Sequence, residues 1–132
     1  MLGRGARERG FTLIELLTVM FVMSVLVGIA LPQYRNAVVT AKEATLRENL
    51  FRFRDLIDQY QADKAKYPAS LEALVEDGYL RKIPVDPITG RPDWQTILAE
   101  PDPDNPGEAP GVYDVKSSSG EVSLSGTPYS EW

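Results

Sequence analysis

The polarity pattern of this chain is dominated by an apolar run from Phe11 to Leu31 that contains a single charged residue, Glu15. Its 21 residues would span about 31 Å as a helix, close to the thickness of a bilayer's hydrocarbon core. Arg4, Arg7 and Arg9 precede it, and basic residues beside an apolar segment stay on the cytoplasmic side. Glu15 falls in the second turn of the run. A charge at a helix centre costs about 2.5–3.5 kcal/mol on insertion scales, and less towards the interface. The turns around it carry Leu, Ile, Thr, Val and Met, so its own helix supplies no partner. The pattern therefore predicts a helix that meets other copies of itself. Gly28 and Pro32 lie near the end of the run. Proline removes a helix hydrogen bond and crowds the turn before it, so Pro32 predicts a kink or a loosened turn, or the point of membrane exit.

Beyond Pro32 the pattern changes from continuous to periodic. No proline or glycine occurs between positions 33 and 66, and Leu46, Leu50, Phe53, Ile57 and Tyr60 recur at spacings of 4, 3, 4 and 3. That is the apolar stripe of an amphipathic helix. Lys42, Glu43, Arg47, Glu48, Arg52, Arg54, Asp55 and Asp58 are expected on its other faces, with Glu43–Arg47 and Glu48–Arg52 as i,i+4 pairs. Five stripe positions are too few to sustain a coiled coil, so the stripe is expected to pack on a small sheet. Residues 11–66 would together make a helix of about 84 Å.

Tyr67-Pro68 ends this helix and opens a segment of short elements. Ser70 is a candidate cap for a helix over Leu71–Glu76, with Glu72 in its first turn and Gly78 as its stop. Asp86-Pro87 followed by Gly90 signals a turn. Trp94–Leu98 and Val112–Val115 read as strands, the second with alternating polarity, and Val122–Leu124 as a further short one. Between the strands, residues 99–111 hold four prolines and four acids. Such a stretch cannot be a central strand; it reads as a solvated spacer in preference to a binding loop. Tyr129 and Trp132 are expected to cover the small core. The fold class is α+β: a long N-terminal helix, membrane-spanning in its first half, packed on a small antiparallel sheet. The expected parts are a basic leader over 1–10, an assembly helix over 11–32 and a globular domain over 33–132.

Composition narrows the chemistry. The 132 residues leave room for one domain and contain neither cysteine nor histidine. Thiol and imidazole catalysis, and metal sites built on those residues, are excluded. No paired carboxylates stand at a readable catalytic spacing and no phosphate-binding glycine loop occurs, so an enzyme is not expected. The formal charge is −5; the leader contributes +2, leaving −7 in the side chains that follow. That balance argues against nonspecific nucleic-acid binding.

Gly10-Phe11-Thr12-Leu13-Ile14-Glu15-Leu16-Leu17 resembles the processing and methylation motif of the type IV pilin-like family. The resemblance implies that a prepilin peptidase cuts after Gly10 and methylates the new terminus, Phe11. Glu15 and Pro32 would then serve filament assembly, Pro32 where the helix stretches or melts. The order Tyr67-Pro68, Leu71 to Leu74, Gly78-Tyr79-Leu80, Ile83-Pro84, Asp86-Pro87 is most like the major pseudopilin of type II secretion. That implies a homo-oligomeric filament in the bacterial inner membrane, single-pass, its C-terminal domain in the periplasm. Its partners would be the peptidase, minor pseudopilins and an inner-membrane assembly platform, and its role the export of folded proteins. A type IV pilin for adhesion, motility or DNA uptake is the alternative, and a monomeric anchored binding module a third reading. A secretory signal peptide cut near Gly28-Ile29-Ala30 competes poorly, because Glu15 interrupts the apolar region and the Gly-Phe junction precedes it. A plain anchor has the same difficulty with Glu15. Major pseudopilins resemble one another in a C-terminal calcium loop rich in Asp and Gly, and here this chain departs. After Asp114 the only acids are Glu121 and Glu131. Ser117, Ser119 and Glu121 with main-chain carbonyls offer at most a weak site, and a serine-rich turn with no metal is the expectation.

Overall fold

The computed structural model describes residues 10–132; the basic leader expected over 1–10, apart from Gly10, lies outside the described residues. Its first element, α1, is a 52-residue helix over Leu13–Lys64. Thr12 starts it: its Oγ1 accepts the Glu15 amide at 3.2 Å and its carbonyl accepts the Leu16 amide at 3.1 Å. An N-terminal hydroxyl cap followed three positions later by glutamate is a helix-start signature, and the acid suits the positive end of the helix dipole. Pro32 lies inside α1, which continues through it. Lacking an N–H, it leaves the Gly28 carbonyl without its intrahelical donor. At the other end α1 stops at Lys64, two residues before the expected limit, because Ala65 turns left-handed at φ +56° and its amide closes on the Gln61 carbonyl at 2.9 Å. The chain falls into two compact units that meet between Ala37 and Val38.

The C-terminal unit is built on the stripe. Leu46, Leu50, Phe53, Ile57 and Tyr60 are all buried, as their periodicity predicts. Helix α2, Leu71–Glu76, has the expected Ser70 cap, whose Oγ accepts the Ala73 amide at 3.3 Å. It buries Leu71 and Leu74, and Gly78 follows it at φ +81°. Strands β1, Gln95–Leu98, and β2, Val112–Lys116, pair antiparallel in the register Gln95 with Lys116, Thr96 with Val115 and Ile97 with Asp114. The register then slips, and Leu98 faces Val112. Tyr113 is the extra residue of this bulge. The slip explains why Val112 and Val115, three apart, are both buried where simple alternation would have separated them.

The sheet has two strands, not the three or so expected. Val122–Leu124 forms no strand: Val122 makes one isolated bridge to Pro128. The Ser123 amide bonds to Thr127 O and the Gly126 amide to Ser123 O, with Gly126 at φ +91°, so the chain reverses before a ladder can grow. Irregular segments supply the missing cover. Trp94 meets Phe53 edge-on at 5.1 Å between ring centroids and donates its indole N–H to Pro84 O at 2.7 Å. Tyr129 is also buried in this core, and Trp132 packs beside it.

Residues 99–111 form a mostly exposed loop, closed by the Ala99 amide on Gly111 O at 2.8 Å. Gly111 lies against Tyr67: a Cβ there would stand 2.6 Å from both the Cβ and the carbonyl oxygen of Tyr67. Neither atom is the free end of a flexible side chain. Gly111→Ala is therefore expected to destabilise the domain by about 1–3 kcal/mol, read as a lowered thermal midpoint of the full chain in detergent. An unchanged midpoint would mean that the loop moves aside freely.

Candidate assembly site

The first half of α1 carries exposed apolar side chains on every side. Its large apolar side chains from Phe11 to Leu31 are between 45 and 83% exposed. It belongs to the one helix among the described residues that is long and apolar enough to cross a membrane, with a window of mean hydropathy 2.4. Such a surface requires lipid or protein around it.

Its uncharged polar side chains are dealt with locally. The Thr18 hydroxyl donates to Ile14 O and the Ser24 hydroxyl to Met20 O, each at 2.8 Å. Thr12 is occupied as the cap. Hydroxyls turned back on their own helix are compatible with hydrocarbon. The Glu15 carboxylate differs: its amide is capped by Thr12, but no described residue pairs with its side chain. Phe11 lies one helical turn before it and is the most exposed of the large apolar residues. The sequence-predicted set Gly10, Phe11, Glu15 and Pro32 thus lies along a single exposed segment. Sequence reasoning missed Thr12, although Thr12-Leu13-Ile14-Glu15 carries the spacing of a capping box.

The C-terminal unit holds two further polar arrangements. Glu43, expected on the solvated face, is buried; its Oε1 accepts the Leu124 amide and the Tyr129 hydroxyl, each at 2.9 Å. Burial, and then the bond to Glu43, push the Tyr129 hydroxyl up to about 12, so it remains a donor at all ordinary pH. The expected Glu43–Arg47 pair is not made: the Arg47 guanidinium lies 4.4 Å from the centre of the Trp132 ring. The signal for this was present, since Glu43 continues the stripe three residues before Leu46. The other expected pair, Glu48–Arg52, forms at 3.1 Å on the surface, where it contributes little. Arg54 joins the elements, bonding Asp114 of β2 at 2.8 Å and the main-chain oxygen of Trp132 at 2.7 Å.

A surface cavity of about 520 Å³ is bordered by Arg52, Arg81 and Lys82.

The family model for the prokaryotic N-terminal methylation motif matches residues 5–31. Over nearly the whole chain, it is 28% identical to the type II secretion system core protein G of Klebsiella michiganensis, covering 94% of this chain and 91% of that one. The protein of the same name from Pseudomonas aeruginosa is 32% identical over 61% of this chain and 68% of its own length. That from Escherichia coli is 28% identical over 84 and 81%. No solved structure matches the chain. An uncovered apolar helix opened by a methylation motif, joined to a stripe-built α+β domain, agrees with these matches at both ends, and the chain belongs to the type II secretion system core protein G family, the major pseudopilins.

Proposed function

We propose that this chain is the repeating subunit of a type II secretion pseudopilus, a filament that rises from the inner membrane and supports the export of folded proteins across the outer membrane. The observation that carries the reading is the register of the N-terminal segment. A Gly10-Phe11 junction, a Thr12 cap and a Glu15 side chain that no described residue pairs stand at the head of an apolar helix whose large side chains are exposed.

In this reading a prepilin peptidase cuts between Gly10 and Phe11 and methylates Phe11. The exposed run then lies in the membrane as a single span, with the C-terminal domain in the periplasm. On assembly the apolar surface passes from lipid to neighbouring subunits, and each Glu15 meets the Phe11 amine of another copy. Pro32 and the freed Gly28 carbonyl give the helix a place to yield during packing. Minor pseudopilins and an inner-membrane platform are the expected assembly partners. No catalytic role, cofactor or nucleic-acid contact is part of the proposal.

The test is deletion of the gene in its host. Secreted enzymes are expected to accumulate in the periplasm and to reach the medium again when the gene is restored. Intact secretion with loss of surface pili would identify a type IV pilin instead and contradict the proposal.

A further inference from the structure

The family resemblance implies a calcium ion in the C-terminal loop, and the residues there do not fit one. Calcium takes six to eight oxygens, with carboxylates among them. Among the described residues no three acidic side chains come together, and the hydroxyls of Ser117, Ser119, Ser123 and Ser125 are already engaged in hydrogen bonds within the chain. Ser117 Oγ donates to the Asp86 carboxylate and accepts the Ser119 amide; Ser119 Oγ accepts the Glu121 amide. Ser123 and Ser125 share a hydrogen bond at 2.8 Å, and Ser123 Oγ also accepts the Thr127 amide.

What gathers this segment is carboxylate from elsewhere in the chain. Asp86, fully buried, holds its start at Ser117. Glu43, 81 positions before Leu124 in the chain, reaches out of α1 and holds its end through the Leu124 amide and the Tyr129 hydroxyl. Bonds to an ionised acceptor are shorter and roughly twice as strong as neutral ones. Removing the acceptor would leave the buried Tyr129 hydroxyl and the part-buried Leu124 amide without partners.

We propose that Glu43 takes the place of the calcium ion: it is the fixed charge that fastens the C-terminal segment to α1, so this subunit folds and assembles without a divalent cation. A bound ion can be stripped by a chelator or diluted away, whereas a side chain cannot. The fastening is therefore indifferent to the calcium content of the periplasm.

The experiment uses the full chain in detergent. Thermal unfolding in excess EGTA and in excess calcium chloride is expected to give the same midpoint. Glu43→Ala should lower it by about 10 °C, from two orphaned donors in a small domain. Glu43→Gln, which keeps the shape and an acceptor, should lower it less while speeding amide hydrogen exchange at Leu124 and in residues 127–132. Tyr129→Phe should cost less in the Glu43→Gln background than alone, because the two share one bond. Should Glu43→Ala fail to fold, the Gln variant and the double variant carry the test. A chelator-induced fall in midpoint that calcium reverses would overturn the proposal, as would unchanged exchange at Leu124 in Glu43→Gln. Every readout concerns folding, so failure here is distinguishable from failure of the filament assignment.

Discussion

Glu15→Val is expected to leave a processed protein in the inner membrane that forms no filaments and supports no secretion. The argument is one of unmet charge. Within its own helix Glu15 has only Phe11, Thr12, Thr18 and Val19 within a turn. Thr12 receives the Glu15 amide, and the Thr18 hydroxyl is turned onto Ile14 O. An isolated carboxylate at that depth is tolerated for insertion at up to about 2.5–3.5 kcal/mol, so valine should, if anything, ease insertion. The proposed partner appears only on processing, when Phe11 acquires an amine of ordinary pKa about 7.7–8.0, largely positive at neutral pH. Docked in apolar surroundings, the two groups attract strongly, and removing one leaves the other uncompensated at a cost of about 3–5 kcal/mol. That is a factor of roughly 10²–10³ or more in each subunit contact, multiplied along a filament. Phe11 and Glu15 stand four positions apart, so a pair within one subunit competes with the pair between subunits. Only the latter sets the register of an incoming copy. Filaments sheared from cells and immunoblots of the membrane fraction check this. Normal filaments and secretion from the variant would remove Glu15 from the account.

Phe53→Ala is expected to cost about 3–5 kcal/mol, the range for removing a fully buried aromatic ring. Phe53 is 1% exposed, lies at the middle of the α1 stripe and meets Trp94 edge-on. Removing it vacates the contact between the helix and the segment that leads into β1. Domains of this size carry about 5–15 kcal/mol in all, so the variant should melt far lower and accumulate poorly in cells. A thermal midpoint equal to that of the parent chain would contradict the packing around the stripe.

How much of this was legible in the sequence depended on the range of the interaction. The apolar run, the Leu46–Tyr60 stripe, the Ser70 cap and the Asp86-Pro87 turn are local signals, and each appears where its spacing places it. The cap rests on neighbours three apart, the turn on an Asp86 carboxylate that accepts the Ile88 amide. The strands were found, but neither the bulge at Tyr113 nor the failure of a third strand was. Both depend on how the 99–111 loop closes and how the chain reverses at Gly126, which polarity does not encode. Glu43 was misread for a related reason. Among charged neighbours it looks solvated, and its burial follows from Leu124 and Tyr129, more than eighty positions away. Its place in the stripe was the available clue. At the N-terminus the unpaired carboxylate was legible because its isolation is a property of one helix, whereas the Thr12 cap beside it was overlooked.

The account's central claim, that α1 begins a processed, self-assembling subunit, meets its most direct test in the terminal peptide of the assembled protein. Filaments prepared from the native host, digested and analysed by mass spectrometry, are expected to give a chain starting at Phe11 with one methyl group on its amine. A chain starting at Met1, or at Leu31 where the apolar run ends, would contradict it.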